Sequence, residues 1–489
     1  MFNEKNKQSP NSSQRVLIVG AGVAGIIVAK NLREQFEKFQ VIAFLDDNKK
    51  KHQQYIVDIP VIGEIEHLEA FIKARAIDLV ILAVPSLEAN RKTALIQKCK
   101  KLSVNIHVVE SIDDITFQNI VETKDVTMEQ LLGREPILLD QQQVMSQIQG
   151  STVLVTGAGG SIGSEICRQI GKLQPEMLVV LGHGENSIYA IHKELTEQFG
   201  NAIQIKPVIA DIQDTTRIDE IMEKFKPNVV YHAAAHKHVP LMELNPREAV
   251  KNNILGTKNV ALAAARCNVE SFILISSDKA VNPNNVMGAT KRVAEMVIQM
   301  VASETENNFS IVRFGNVLGS RGSVIPLFKE QIQNGGPVTV THPDMTRYFM
   351  TIPEAAGLVI QSGGIQQGSK IFVLDMGEPI KITTLAKNLI TMSGFTLDDI
   401  SIEFTGVRPG DKLYEELLNE GEIYPNQVIP KVHIGRPTNF STKQITRFIE
   451  EFKDMEDELL VQTLYNLVGK KIPILIRNEV NAHESLVRS

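Results

Sequence analysis

Apolar residues fall into two rhythms along the 489-residue chain. Short unbroken apolar runs end in glycine or acid, and each leads into a stretch with apolar positions every three or four residues. The run Arg15 to Gly20 predicts a buried strand, and Ile26, Ile27, Ala29, Leu32 and Phe36 follow it at helical spacing. Val41 to Leu45 predicts a second strand ending at Asp46-Asp47, Glu64 to Arg75 a helix, and Asp78 to Val84 a third strand. A helix through Ile96 and a strand from Val104 to Val109 complete this array. Residues 111–150 lose the rhythm, carry three successive glutamines at Gln141 to Gln143, and read as a connector with short helices. From Thr152 the alternation restarts, with strands at Leu178 to Leu181, Ile203 to Ile209, Asn228 to His232, Ser271 to Ser276 and Phe309 to Phe314. Strands joined by helical crossovers place the chain in the α/β class, as two Rossmann-type, doubly wound parallel-sheet domains. The expected divisions are a disordered N-terminus (1–14), a first Rossmann-like domain (15–110), the connector (111–150), a second Rossmann domain (151–436) and a charged, helical tail (437–489). After about Gly315 the alternation breaks up and Gly and Pro become frequent, as expected of a small substrate-covering lobe.

Composition narrows the function more than the fold. Hydrophobic residues make up 43% and charged residues 22%, an ordinary globular balance. A net charge of -6 gives no footprint for nucleic acid or for a polybasic membrane contact. Cys99, Cys167 and Cys267 lack CxxC spacing, so neither a disulfide framework nor a zinc site is expected, which fits a reducing cytoplasm. The polar stretch Met1 to Gln14 has no apolar core of the signal-peptide kind, and no run approaches the ~20 apolar residues that span a bilayer.

Two glycine turns stand where strand gives way to helix. Gly20-Ala21-Gly22-Val23-Ala24-Gly25 fits GxGxxG, and Gly157-Ala158-Gly159-Gly160-Ser161-Ile162-Gly163 fits GxxGxxG. Glycine serves such a turn by bending tightly, admitting a pyrophosphate to the backbone and letting helix pack on strand, while the helix N-terminus offers N–H groups to phosphate. The second turn is read as the nicotinamide-dinucleotide site. The first has Asp46 and Asp47 about 20 residues on, where a ribose-binding acid would sit; its competing reading is a strand end that caps a loop. In the second domain the equivalent position is Gly182, so Glu185, with His183 beside it, is the nearest candidate for the ribose. No arginine stands there to favour a 2′-phosphate, which points to NAD over NADP. Asp211-Ile212 is placed to meet the adenine, with a helix N-cap as the alternative.

Ser276-Ser277-Asp278-Lys279-Ala280-Val281 follows a predicted strand, and Met287-Gly288-Ala289-Thr290-Lys291 opens the next helix. Here the chain resembles the extended short-chain dehydrogenase/reductases, whose signature is Ser/Thr followed by Tyr-x-x-x-Lys. The lysine is Lys291, but Met287 stands at the tyrosine position, and a thioether has no proton to exchange. The surrounding stretch SSDKAVNPNNVMGATKR closely resembles bacterial nucleotide-sugar 4,6-dehydratases of capsule, exopolysaccharide and glycan biosynthesis, the UDP-N-acetylglucosamine 4,6-dehydratases in particular. In the large subgroup of that family methionine is typical here. HAAAHKHVP (from His232), KNNILGTKNV (from Lys251), RFGNVLGSRGSVIPLF (from Arg313), MTRYFMTIPEA (from Met345) and RPGDKLYEELL (from Arg408) extend the likeness from about Leu131 to Arg436. Members usually carry several transmembrane helices before the first Rossmann unit, and no such run is present here.

The resemblance implies an extended short-chain dehydrogenase/reductase fold and conversion of UDP-N-acetylglucosamine, or a similar UDP-sugar, to its 4-keto-6-deoxy product. Hydride would leave C4 for NAD and return to C6 after loss of water across C5–C6, with retention at C5. It assigns Lys279 as base at C5, with a lowered pKa, and Asp278 as acid to the C6 hydroxyl, with a raised one. Ser277 would bind the C4 oxygen and Lys291 the nicotinamide ribose; Met287 joins this set as the subgroup's marker. The group that deprotonates the C4 hydroxyl stays open between Asp278 and a water. Cofactor contacts would come from Gly157, Gly160, Ser161, Ile162, Gly163, Glu185, Asp211, Ile212, Ala233, Ala234, Asn253 and Lys291. Substrate contacts would come from Lys237, Asn316, Arg321, Arg347 and Arg408. Homo-oligomerisation is likewise implied. Two other readings compete: a UDP-sugar 4-epimerase, which should keep the tyrosine and has no need of an Asp-Lys pair, and a non-catalytic sensor of NAD or nucleotide-sugar. The ligand of the first Rossmann unit is not legible.

Overall fold

The structure is a computed structural model that describes residues 14–33, 39–84, 87, 89–102, 104–109, 141–365, 368–393, 395–408, 410–418, 429–437 and 439–471. The expectations for residues 1–13, for residue 110 at the end of the first domain, for residues 111–140 of the connector and for the end of the tail lie outside the described residues. The chain forms two compact units, Met1–Thr127 and Met128–Ser489. Among the described residues no helix is long and apolar enough to cross a membrane.

The first unit runs β1 (Gln14–Val19), α1 (Val23–Arg33), β2 (Phe39–Leu45), β3 (Tyr55–Ile56), β4 (Ile59–Gly63), α2 (Leu68–Arg75), β5 (Leu79–Leu82), α3 (Ala89–Lys101) and β6 (Asn105–Val108). Its sheet order is β3-β4-β2-β1-β5-β6, parallel except for the β3–β4 hairpin. Val16 and Ile18 pack into the core on one face of the sheet, Leu17 and Val19 into the core on the other. A strand covered on both sides needs this continuous apolar run rather than alternation. The hairpin was hidden within a polar loop, where Tyr55-Ile56 and Ile59 offer too short a pattern to read.

In the second unit α4 (Gln141–Ile148) precedes β7 (Thr152–Thr156), α5 (Ser161–Lys172), β8 (Met177–Gly182), α6 (Glu185–Phe199), β9 (Gln204–Ile209), α7 (Thr215–Phe225) and β10 (Val229–His232). Short helices α8 (Val239–Leu244) and α9 (Pro246–Val250) and a π-helical turn (Lys251–Gly256) lead to α10 (Thr257–Arg266) and β11 (Ser271–Ile275). Then come α11 (Val286–Ser303), β12 (Asn308–Arg313), β13 (Asn316–Val317), α12 (Val324–Gln333), β14 (Val338–Val340), β15 (Thr346–Arg347) and β16 (Phe349–Met350). The chain continues through α13 (Ile352–Gly363), β17 (Ile371–Leu374), β18 (Ile380–Lys381), α14 (Ile382–Met392), β19 (Ile402–Phe404), β20 (Val432–Gly435), α15 (Thr442–Glu451) and α16 (Asp457–Leu467). The main sheet has eight strands in the order β20-β17-β12-β11-β10-β7-β8-β9, with β20 antiparallel. The order reverses between β7 and β10, so a crevice opens at their carboxyl ends, where α/β folds bind ligands.

The sequence after Gly315 does not form a separate lobe alone. The small pairings β13–β16, β14–β19 and β15–β18 make one, but β17 and β20 return to the main sheet. Their four-residue runs, IFVL and VHIG, are too short to stand out among glycines and prolines. The tail has a structural task. Ile445, Phe448, Ile449, Phe452, Leu460, Leu464 and Tyr465 share one buried cluster with Met287, Val293 and Met296 of α11. Arg247 fastens it by donating to the carbonyls of Phe452 and Met455 and to Asp457. Replacing Phe448, which is 2% exposed, with alanine should therefore lower stability by about 3–5 kcal/mol in denaturant titration. Leu459→Ala, on an exposed side chain of the same tail, should leave the midpoint nearly unchanged.

Candidate functional site

The turn after β7 is closed by backbone. Gly157 has φ +64°, and a Cβ there would lie 2.7–2.8 Å from the Ala233–Ala234 backbone. A Cβ on Gly163 would lie 2.2 Å from the Gly157 carbonyl. Gly160 caps the start of α5, leaving Ser161 and Ile162 as its first two residues, half-buried beside the crevice. This is a cradle only glycine can make, aimed by a helix N-terminus at the end of the central strand, and its donors fit a pyrophosphate. Glu185 is exposed in the first turn of α6, with exposed His183 before it. Asp211 is exposed and accepts the Gln213 N–H at 2.9 Å, while Ile212 is buried; the helix cap that competed for Asp211 belongs to Asp214, which accepts from Arg217.

Some expected contacts turn out to be scaffold. The Asn253 amide accepts from the His236 N–H (2.8 Å) and from Asn252, and donates to the His236 carbonyl (2.9 Å) and Thr290 Oγ1 (3.0 Å). An amide has two donors and two acceptor sites, so Asn253 has none left for a cofactor and instead pins the loop after β10 to α11. Met287, placed in the catalytic set as the subgroup's marker, is a core residue buried in the α11 cluster. Arg408 is exposed and paired with Asp411 at 3.0 Å, on the surface.

The candidate catalytic residues meet at the ends of β11 and β12. Ser277 caps a 3-10 turn, accepting from the Lys279 N–H, and Asp278 N–H donates to the Phe314 carbonyl (3.0 Å). That turn drives Asp278 into the protein, where it is 0% exposed. Its Oδ1 accepts from Ser277 Oγ (2.7 Å) and Lys279 Nζ (3.1 Å), and its buried Oδ2 has no hydrogen-bond partner. Lys279 Nζ also donates to Asn316 Oδ1 (3.0 Å) and lies 3.6 Å from Glu415 Oε1. Lys237 reaches Ser320 at 3.3 Å, and burial, then the nearby Lys279 charge, lower its pKa. Arg321 ties its own loop to the glycine turn, donating from Nη1 to the Gly159 carbonyl (2.9 Å) and from its N–H to Ser161 Oγ (3.1 Å). Arg347, 7% exposed, donates to the Thr346 carbonyl at 2.7 Å. Glu415, within a motif noted for its arginine alone, was missed; a Glu-Glu pair in a polar stretch reads as surface.

The two lysines are charged differently from expectation. Burial alone would lower Lys279, but Asp278 and Glu415 outweigh it and hold its pKa above the ordinary value. Lys291 is the lowered one: burial brings it to about 8, with Glu295 opposing, and its Nζ donates to the Ile275 carbonyl at 2.6 Å.

In the first unit, Gly20 has φ +101° and a Cβ there would lie 2.7 Å from the Ala83 carbonyl. Asp46 turns onto this glycine turn: its Oδ2 accepts from the Ala21 N–H (2.7 Å) and Lys51 (2.9 Å), and its Oδ1 from Asn48. Asp47 pairs with Arg91 at 2.6 Å.

His232, at the end of β10, is wholly buried between Thr156 Oγ1 (2.7 Å) and Thr257 Oγ1 (3.0 Å). Burial, with Lys291 adding to it, holds its pKa at about 3. Between that value and the ordinary imidazole value near 6.5 the unfolded chain binds the extra proton, so stability falls as pH falls through this window. His232→Gln should show a smaller loss of unfolding free energy between pH ~6.5 and ~5 than the parent, measured by denaturant titration at each pH.

Residues 153–437 match the family described as polysaccharide biosynthesis protein, and residues 5–109 match a CoA-binding domain. The chain is 52% identical over 472 residues to the probable polysaccharide biosynthesis protein EpsC of Bacillus subtilis (strain 168), covering 96% of this chain and 79% of that protein. It is 32% identical over 278 residues to the UDP-N-acetylglucosamine 4,6-dehydratase (inverting) of Campylobacter jejuni, and 34% over 278 residues to a UDP-glucose 4-epimerase of Rickettsia canadensis. Each alignment covers 56% of this chain and 79% of the relative. The crystal structure of Pen from Bacillus thuringiensis superposes with a TM-score of 0.55 at 35% identity, over 59% of this chain and 90% of Pen. With an extended α/β fold, a glycine cradle at the sheet's switch point and these relatives, the chain belongs to the polysaccharide biosynthesis protein family and is related to nucleotide-sugar dehydratases and epimerases.

Proposed function

We propose that the protein is a UDP-N-acetylglucosamine 4,6-dehydratase. The observation that carries this reading is Asp278: a fully buried carboxylate, held through Oδ1 by Ser277 and Lys279, with Oδ2 left without a partner. A 4-epimerase needs one group to move the C4 proton. A dehydratase must also move a proton at C5 and one at C6, and Asp278 with Lys279 can serve C4, C5 and C6 in turn where the family signature's tyrosine is replaced by a core methionine. The glycine cradle fits NAD, which when bound would supply the hydride acceptor for C4 and the donor for C6. Gly157, Gly160, Gly163, Ser161 and Ile162 would hold its pyrophosphate, and Lys291 its ribose. Arg347 and Lys237 would meet the UDP phosphates.

Asp278 Oδ2 takes the C4 hydroxyl proton as the C4 carbonyl forms. This removes one of the two negative charges that keep Lys279 protonated, so the ammonium sheds its proton more readily. Neutral Lys279 then takes the C5 proton, made acidic by the ketone, while Asp278 returns its proton to the C6 hydroxyl, which leaves as water. The same ammonium gives a proton back to C5 from the same side, so C5 is retained. The ammonium gives its first proton to solvent before the C5 step, and the neutral Lys279 left at the end takes one back from solvent, so protons balance over the cycle and the net change is loss of one water.

Asp278→Asn and Lys279→Met should each lower formation of the 4-keto product by about 10²–10⁴-fold, followed by mass spectrometry with UDP-N-acetylglucosamine, while NAD remains bound. Ordinary turnover by either variant would sink the assignment.

A further inference from the structure

One buried charge at the site is not used by these steps. Glu415 is 7% exposed and stands in a segment stitched into the site from both sides. The Thr346 N–H donates to the Leu413 carbonyl (3.0 Å), Lys412 Nζ to the Val281 carbonyl (3.1 Å), and Asn282 to Glu416 (2.7 Å). These bonds bring the Glu415 Oε1 to 3.6 Å from Lys279 Nζ and 3.7 Å from Arg347 Nε, while its buried Oε2 has no hydrogen-bond partner. A carboxylate in such a place is costly to bury unless paired cations repay it. We propose that Glu415 is a positioning residue for the Asp278–Lys279 pair: its carboxylate holds the Lys279 ammonium and the Arg347 side chain against one another and governs how readily that ammonium gives up its proton.

The inference rests on the dehydratase reading for its purpose, but not for its geometry. Asp278 and Glu415 both favour the charged Lys279, Arg347 opposes it, and Lys237 also carries charge near it; Lys412 in turn feels Glu415 and Asp278. Asp278 loses its charge when it takes up a proton in the reaction. Until Asp278 passes that proton to the C6 hydroxyl, Glu415 is the anion left beside Lys279; afterwards both carboxylates keep the proton taken from C5 on Lys279 until it is returned.

The opposed signs of the two neighbours give the test. The titration midpoint of Lys279 is read on the protein without substrate, from the pH dependence of its acetylation by acetic anhydride followed by mass spectrometry. Glu415→Gln should move the midpoint to lower pH by about one unit or more, and Arg347→Gln should move it to higher pH. Glu416→Gln, one residue away and paired with Lys412 and Asn282 instead, should leave it in place. With UDP-N-acetylglucosamine, the acid limb of the kcat profile should follow the midpoint in Glu415→Gln, a change that a merely structural role would not produce. An unmoved midpoint in Glu415→Gln, or one that moves up, overturns the inference; should that variant not fold, Arg347→Gln decides by its direction. Shifted midpoints in a protein that makes no 4-keto product would contradict the proposed function and leave Glu415's hold on Lys279 intact.

Discussion

The larger unit turns on one buried carboxylate. Glu295, on α11, is 0% exposed and receives Arg313 through Nε (2.8 Å) and Nη2 (2.7 Å), Arg292 (3.1 Å) and Ser276 Oγ (2.6 Å). Burial resists its ionisation, but Arg313, Arg292 and Ser276 outweigh that and hold it at about 2. Arg313 ends β12 and Ser276 follows β11, so this cluster fixes the α11 helix to the ends of two core strands. The residues proposed to react hang from those pieces: Ser277, Asp278 and Lys279 follow Ser276, and Lys291 lies one helical turn before Glu295. A buried pair of this kind adds little net stability, yet removing one partner leaves an uncompensated charge worth about 3–5 kcal/mol. Its value here is placement.

The site built on that anchor is a set of charges held out of water rather than a single activated group. Lys279 is kept protonated by Asp278 and Glu415, and Lys291, where burial outweighs the Glu295 charge, is brought to about 8. Both lysines lie near the crevice, but only Lys279 touches the buried Asp278. In the proposed reaction this pairing acts as a switch, because the first proton transfer, to Asp278, changes how readily Lys279 makes the second. This makes sense of a site that has given up the signature tyrosine. In the proposed reaction Asp278 takes over its proton, while Met287 fills its place in the helix with apolar volume in the cluster shared with the tail.

Much of this was legible from the chain. Continuous apolar strands followed by glycine turns gave both Rossmann units, because a parallel sheet buried on both faces leaves that trace. The Asp278-Lys279 pair was readable through the family resemblance of the segment around it; on its own, a charged pair after a strand reads as a surface ion pair capping the next helix. What was not legible depends on long-range partners. β17 and β20 pair with strands far away in sequence. Asn253 looked like a ligand contact until its four hydrogen bonds were seen within the fold. Lys279 was expected to be lowered because sequence shows burial more readily than it shows Glu415, which lies far along the chain. Arg408 carried a family motif but sits at the surface.

The central claim is internal redox coupled to loss of water, and the fate of the C4 hydrogen tests it most directly. UDP-N-acetylglucosamine carrying deuterium at C4 should be converted to a 4-keto product lighter by one water, with the deuterium at C6 and the bound NAD unconsumed. Deuterium kept at C4 with the hydroxyl inverted, or a substrate recovered unchanged, would contradict it.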